Sequence, residues 1–373
     1  MSGSRPPISA AAVAEPPSAD VSARATTASA AHDDSQFITE ARFYHKLPDG
    51  RVRCTLCPRL CNIPESVRGY CGVRENRNGT LYTLVHSRVC AAHIDPVEKK
   101  PFFHYMPGSL AFSVATAGCN VNCKFCQNWE LSQARPEEAP GEYMPPETVV
   151  ELALQYQCPT IAFTYTEPII ASEFVMDTAD VAHQHGIRTI EISNGYIHQD
   201  ALPSVYGRMD AVKIDLKAFS DSYYRKVVVA ELKPVLETLV SLAKLGKWTE
   251  IVYLLVPTMN DSDQELTALA RWVKANLGND VPLHFSQFHP DYKMLDLPVT
   301  TVASLERAKQ IADGEGLRYV YIGNVPGHPA ENTYCPQCSR LLVQRSGYDI
   351  RQMLISDNAC PYCRQPIPGI WSE

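Results

Sequence analysis

No run of about 18 consecutive apolar residues occurs in the 373 residues, so nothing in the chain has the length and apolarity of a membrane-spanning helix. An excess of positive charge is also missing. The 34 Lys and Arg stand against 41 Asp and Glu, a net charge of −7 with histidine neutral, which argues against a nucleic-acid surface. No Gly-x-Gly-x-x-Gly follows a strand-like run, which removes the dinucleotide fingerprint of a doubly wound sheet. A continuous apolar secretory core is absent from residues 1–36, where Pro16, Asp20 and Arg24 interrupt the sequence. Glu15, Asp20, Asp33 and Asp34 depart from the acid-poor composition of a transit peptide, whose Ser and Ala richness the stretch shares. With no hydrophobic period, 1–36 reads as a disordered tail.

Cysteine, by contrast, is abundant: there are 13. Most fall in Cys-x2-Cys or Cys-x3-Cys groupings suited to metals rather than to a secreted disulfide framework, which implies a reducing, cytoplasmic setting. Three constellations stand out. Cys119, Cys123 and Cys126 form C-x3-C-x2-C directly after an apolar run. Three thiolates on one turn can each bind one iron of a cubane cluster, and without a fourth cysteine nearby one iron stays open to an exchangeable ligand. A structural zinc site, the competing reading, wants four ligands. Cys54, Cys57, Cys61 and Cys71 place four thiolates within 18 residues. That set suits either Zn²⁺ or an accessory iron–sulfur cluster, and a metal-stapled knuckle without catalysis is the simpler reading. Cys335 and Cys338, then Cys360 and Cys363, are two Cys-x2-Cys pairs separated by 21 residues. They read as a zinc ribbon or rubredoxin-like element, a metal-stapled cap with a one-iron electron-transfer site as the alternative.

The length allows one α/β domain of about 250 residues with small appendages. Short apolar runs near 111–115, 160–164, 189–193, 211–215, 249–256, 283–287 and 319–322 alternate with amphipathic helical patterns at 146–156, 169–185, 233–245, 263–276 and 303–312. This is the signature of repeated βα units and predicts an α/β fold, a partial or full (β/α) TIM-like barrel. The expected organisation is a tail over 1–36, a four-cysteine metal-binding segment and lead-in over 37–108, the barrel over 109–328 and a cysteine-rich element over 329–373. Residues 81–89 alternate like a half-buried strand, and 95–104 reads as a charged loop. In a parallel barrel the active site lies where strands end.

The segment from Gly118 through Cys119, Cys123, Phe125 and Cys126 to Glu130 resembles the signature of radical S-adenosylmethionine (SAM) enzymes. It is similar in particular to the radical-SAM member of the AmmeMemoRadiSam group, a relative of pyruvate formate-lyase-activating enzymes. The resemblance implies that Cys119, Cys123 and Cys126 hold a [4Fe–4S] cluster whose open iron chelates SAM, that Phe125 packs near the adenine, and that reductive cleavage yields a 5′-deoxyadenosyl radical that abstracts hydrogen from a protein or small molecule. Thr164, Glu167 and Pro168 stand where relatives bind the SAM ammonium; Ser193, Asn194 and Gly195 match a turn against its ribose or carboxylate. Asp215 and Lys217, on one strand face by period two, suit SAM, the substrate or an ion pair. His289 is a candidate proton donor or SAM contact. Asn324 lies in a closing glycine-rich turn. The implied partners are an electron donor such as flavodoxin or ferredoxin, AMMECR1-family and Memo-family proteins, and a protein substrate. Glycyl-radical activators often carry an arginine where Glu250 and Val252 stand, a departure from the activase pattern. Two other classes compete: a metal carrier or scaffold without turnover, and a Schiff-base aldolase built on Lys213 or Lys217.

Overall fold

The computed structural model describes residues 34–372. The predicted tail therefore falls outside the described residues up to position 33, and its last three residues belong to a 3-10 turn, Asp34–Phe37, that buries Phe37.

Eight strands form the central sheet. We label them β1 (Ala91–Pro96), β2 (Leu110–Ala115), β3 (Thr160–Phe163), β4 (Arg188–Ser193), β5 (Ala211–Asp215), β6 (Trp248–Leu255), β7 (Leu283–Gln287) and β8 (Val320–Gly323). They pair in sequence order. β1 runs antiparallel to β2, and every later pairing is parallel. The seven predicted strands are thus present, with an eighth, β1, contributed by the segment that leads into the barrel. Helices α1 (Pro146–Gln155), α2 (Ser172–Gln184), α3 (Leu202–Tyr206), α4 (Leu232–Lys244), α5 (Asp263–Leu277) and α6 (Val302–Gly314) fill the crossovers. Their starts follow local chemistry: Pro145 and Pro146 open α1 at a turn where a missing N–H costs nothing, Ser262 caps α5 by accepting from the Glu265 N–H, and Thr301 caps α6 through Ser304.

Among the described residues β8 and β1 share no ladder, so the barrel is partial. The C-terminal sheet of Thr333–Tyr334, Leu341–Ser346 and Asp349–Met353 packs beside this seam. Phe103, Tyr321 of β8, Leu342 and Val343 share one apolar cluster, and buried Arg345 donates to the Phe103 carbonyl at 2.7 Å.

Two cores follow from strand alternation. One face of the sheet packs on the helices in a large cluster that also takes in Val52, Cys54 and Leu56, so the 37–108 segment shares the barrel's core. The other face encloses Ala111, Ala162, Ile190, Ile192 and Ala211 with Phe102, Tyr105 and Met106 as a plug. Residues 95–104 are therefore not a solvated loop: β1 and the 3-10 turn Val97–Lys99 fold them inward, and Asp95, Glu98, Lys100 and His104 are buried. Glu250 anchors the plug, accepting from the Phe103 N–H at 2.9 Å, the His104 N–H at 2.8 Å and His284 Nε2 at 2.7 Å. The strand expected over 81–89 is two short strands, Thr80–Thr83 and Arg88–Val89, broken at Ser87, whose φ of 61° lies in the left-handed region.

Candidate functional site

The loop carrying Cys119, Cys123 and Cys126 leaves the end of β2 through Gly118, at φ 96°. A Cβ there would lie 2.7 Å from Val73 Cγ1 and 2.9 Å from the Cys71 carbonyl oxygen. Only glycine lets the loop lie this close to the N-terminal cysteine segment. Its far side is tied down by backbone: Asn122 N–H donates to the Val228 carbonyl at 3.1 Å and Lys124 N–H to that of Val227 at 3.0 Å. Both acceptors lie in a π-turn, Tyr224–Val228, closed by Val229 at φ 59°. A left-handed valine is a costly conformation, and π-turns concentrate at functional sites. No periodicity in the sequence signals this turn.

Cys119, Cys123 and Cys126 all line one cavity of about 520 Å³ at the carboxyl ends of the strands, and no fourth cysteine lines it. Burial pushes the Cys119 thiol well above its ordinary value and Cys123 up to about 12. Thiols raised in this way, Cys119 and Cys123, ionise readily only against a bound positive charge. The donor set therefore fits an iron–sulfur cluster held by three thiolates with one iron left open.

The opposite wall comes from the ends of β3, β4 and β5. Glu167 caps the 3-10 turn Pro168–Ala171 and also faces the cavity. Its Oε1 accepts from Ser193 Oγ at 2.8 Å and the Ile169 N–H at 3.2 Å, its Oε2 from the Asn194 N–H at 2.8 Å. Burial pushes its carboxyl up to about 7, against the pull of those donors. Asn194 Nδ2 lies 3.8 Å from Cys119 Sγ and donates to Asn120 Oδ1 at 2.9 Å. Period-two alternation puts Lys213 and Asp215 on the inner face. Asp215 bonds Lys213, and Lys217 Nζ at 2.8 Å. Burial would raise the Asp215 carboxyl, but the two lysines hold it down at about 2. Burial pulls Lys213 below its ordinary value. Lys217 is held above its own by Asp215, against burial.

Of the predicted residues, Phe125, Thr164, Glu167, Asn194, Asp215, Lys217 and Asn324 line the cavity with the three cysteines. Ser193, Pro168 and Gly195 do not. Ser193 acts through Glu167, Pro168 starts the turn that Glu167 caps, and Gly195 donates its N–H to Ser193 Oγ at 3.0 Å. His289 is exposed and lies outside the cavity lining.

Sequence reasoning missed one cluster at the mouth. Asp95 is bonded by Lys100, by the Tyr165 hydroxyl and by Lys99 Nζ at 2.8 Å, and Lys99, Lys100, Tyr165 and Tyr348 line the cavity. Burial pulls Lys100 down to about 8. The available signal was the interleaving of Pro96, Val97, Pro101, Phe102 and Phe103 with the charges, a pattern of burial rather than of a solvated loop.

The C-terminal cysteines converge tightly. All four sulfurs lie within 4.8 Å of one another, with Cys335 to Cys363 at 3.6 Å and Cys338 to Cys360 at 3.7 Å. Metal–sulfur bonds of about 2.3 Å in a tetrahedron give edges of about 3.8 Å, so this set fits a single ion. Cys54, Cys57, Cys61 and Cys71 line a smaller cavity behind the Cys119 loop.

The chain is similar to several known proteins. The model of the Radical SAM superfamily matches residues 113–270, from β2 into α5. A protein of Methanocaldococcus jannaschii, itself uncharacterized, is 47% identical over 332 residues, covering 88% of this chain and 99% of that one. The pyruvate formate-lyase 1-activating enzyme of Escherichia coli strain K12 is 22% identical over 231 residues, 58% of this chain and 93% of the enzyme. Among solved structures, a radical SAM methyltransferase from Sphaerobacter thermophilus superposes with a TM-score of 0.46 at 14% identity, covering 79% of this chain and 81% of the other. The matched span holds the cysteine loop and the strand ends that wall the cavity, and the chain belongs to the radical SAM superfamily, an enzyme whose cofactors are a [4Fe–4S] cluster and SAM.

Proposed function

We propose that Cys119, Cys123 and Cys126 hold the cluster and that the cavity beside them binds SAM and a substrate from which hydrogen is abstracted. The observation that carries this reading is the convergence of three cysteines, with no fourth, on one cavity at the strand ends. When bound, the reduced cluster would supply one electron to the SAM sulfonium, the chemistry that would cleave its C–S bond to methionine and a carbon radical. The chain's own residues bind and shield. Glu167, fixed by three donors, and Asn194 offer polar partners for an ammonium or ribose, while Phe125 offers a flat apolar surface for a purine. Lys213 and Lys217, arranged about Asp215, and Lys100 beside Asp95 supply the cations that a carboxylate needs. Ile192, Val252 and Leu254 line the interior side and keep water from a reactive carbon centre. The reductant is a low-potential one-electron donor such as flavodoxin or ferredoxin.

The finer reading is an AmmeMemoRadiSam-type enzyme, with AMMECR1-family and Memo-family partners; it is supported by the residues from Gly118 to Glu130. A second reading, activation of a glycyl-radical enzyme through a protein glycine, is favoured by the pyruvate formate-lyase-activating relatives. Against it, Glu250 is committed to His284 and the plug, so cavity cations come from lysines rather than from a strand arginine. The test is anaerobic reconstitution, reduction with dithionite and chromatography for 5′-deoxyadenosine after adding SAM, in wild type beside Cys123→Ala. Product from wild type alone supports the reading, and its absence from a reducible, cluster-loaded wild type with candidate partners present rejects it. Faster product formation with a glycyl-radical enzyme, but not with Memo- or AMMECR1-family proteins, would select the second reading.

A further inference from the structure

We propose that Cys54, Cys57, Cys61 and Cys71 hold a second, polynuclear iron–sulfur cluster, not a zinc ion, and that it relays electrons to the Cys119 loop. The relay role rests on the function proposed above, whereas occupancy of the site does not.

Spacing is the first argument. The four cysteines line one cavity. Among the described residues, however, only the C-terminal set brings three or more metal-ligating atoms within 4.8 Å of one another. A lone tetrahedral ion needs sulfurs about 3.8 Å apart. A cubane binds each thiolate through a different iron and so spaces the sulfurs wider by a metal–metal edge. Neither the N-terminal set nor the Cys119 loop brings three sulfurs within that 4.8 Å, as the C-terminal ribbon does.

The second argument is a buried donor. Arg74 is 1% exposed and lines the same cavity. Its Nη2 pairs with the buried Glu173 carboxylate at 2.5 Å, yet its Nε–H has no hydrogen-bond partner among the described residues. A buried donor without an acceptor costs about 1–3 kcal/mol. The sulfurs of a bound cluster and its thiolates would satisfy it, since N–H donors to sulfur stabilise the negative charge of such clusters and tune their potential.

Position supplies the relay. Asn120, the neighbour of Cys119, lines this cavity, and Arg59 Nε donates to the Asn120 carbonyl at 2.5 Å. The Cys71 carbonyl lies 2.9 Å from where a Gly118 Cβ would sit. The two cysteine segments therefore pack directly against each other at Cys71 and Gly118. In the transfer itself, a low-potential iron–sulfur or flavin protein gives one electron to the N-terminal cluster, which passes it to the loop cluster. No bond is made or broken and no proton moves.

The triple variant Cys119→Ala/Cys123→Ala/Cys126→Ala, reconstituted anaerobically and desalted, isolates the site. We expect about four irons per chain to remain, with the paramagnetic signal of a reduced cluster after dithionite. Both should vanish when Cys57→Ala and Cys61→Ala are added. At most one iron in the triple variant, with zinc filling the N-terminal set, would overturn the proposal. For the relay, the loop cluster of Cys57→Ala/Cys61→Ala should accept electrons from reduced ferredoxin at least about tenfold more slowly than wild type; an unchanged rate would overturn that role. Wild type with about eight cluster irons that fails to cleave SAM would count against the proposed function alone.

Discussion

Gly118→Ala probes the junction on which both cysteine sets depend. At φ 96° an alanine pays about 1–2 kcal/mol in left-handed strain. Its Cβ would also sit 2.7 Å from Val73 Cγ1, 2.9 Å from the Cys71 carbonyl oxygen and 3.0 Å from Ile170 Cδ1. The first and last are side chains, but the carbonyl cannot retreat without moving the N-terminal segment. Overpacking of this kind costs about 1–3 kcal/mol, for a total of about 2–5 kcal/mol. One kcal/mol shifts the melting temperature by about 2–4 °C in domains of 150–250 residues, and somewhat less here, so a fall of about 3 °C or more is expected. Gly186→Ala separates the two contributions: its φ is 72° with nothing within 4 Å of the added Cβ, so only the strain applies. The assays are thermal melting by circular dichroism and iron content after reconstitution. If Gly118→Ala melts within about 1 °C of Gly186→Ala and loads full iron, the packing argument is wrong.

Glu167→Gln keeps the shape but replaces one acceptor oxygen with a donor, leaving a buried N–H of Ile169 or Asn194 or the Ser193 hydroxyl unpaired. A loss of about 1–3 kcal/mol in urea melts is expected, with SAM affinity in equilibrium dialysis down about tenfold; unchanged affinity would remove Glu167 from the binding wall. His104 is held neutral: Nδ1–H donates to the Pro368 carbonyl at 2.7 Å, Nε2 accepts from the Tyr321 hydroxyl at 2.6 Å, and burial pulls its pKa down to about 4. The unfolded chain takes up this proton near pH 6.5, so the stability His104 contributes is present above that pH and is lost as pH falls from about 6.5 to 4, by at most about 3 kcal/mol. Glu98, raised to about 7 by burial, acts in the opposite sense, so the signature is a shallower acid loss in His104→Asn than in wild type, read from urea midpoints at pH 7.5 and 4.5. Cys360→Ser should cost the C-terminal set its ion and raise amide exchange across 333–367 while the barrel strands stay protected; protection equal to wild type would mean that the ion does not staple this sheet.

The parallel strands were legible because their signal is local. Apolar runs such as those of β3 and β5 stand between helical patterns, and buried parallel strands need nothing else. β1 was lost because an antiparallel edge strand broken by charges carries no such run, and its burial of Asp95 depends on partners elsewhere, Lys100 and Tyr165. The cysteine loop and Glu167 were legible because metal and cap chemistry follow short-range spacing. The lysine-rich mouth was not, since Lys99 and Lys100 arrive from the turn after β1 and Tyr348 from the C-terminal hairpin, a meeting only the tertiary fold arranges. His289 follows β7 as expected but is exposed beside Pro290, because the strand-end rule says where a side chain begins and not which way it turns.

The most direct test of the account is electron paramagnetic resonance of the dithionite-reduced, reconstituted enzyme before and after SAM is added, with Cys57→Ala/Cys61→Ala in the background so that the loop cluster is observed alone. A loop cluster with an open iron gives a reduced-cluster signal that changes on adding SAM and that is absent when Cys123→Ala is included. A loop-cluster signal that SAM leaves untouched would contradict an open iron in this cavity.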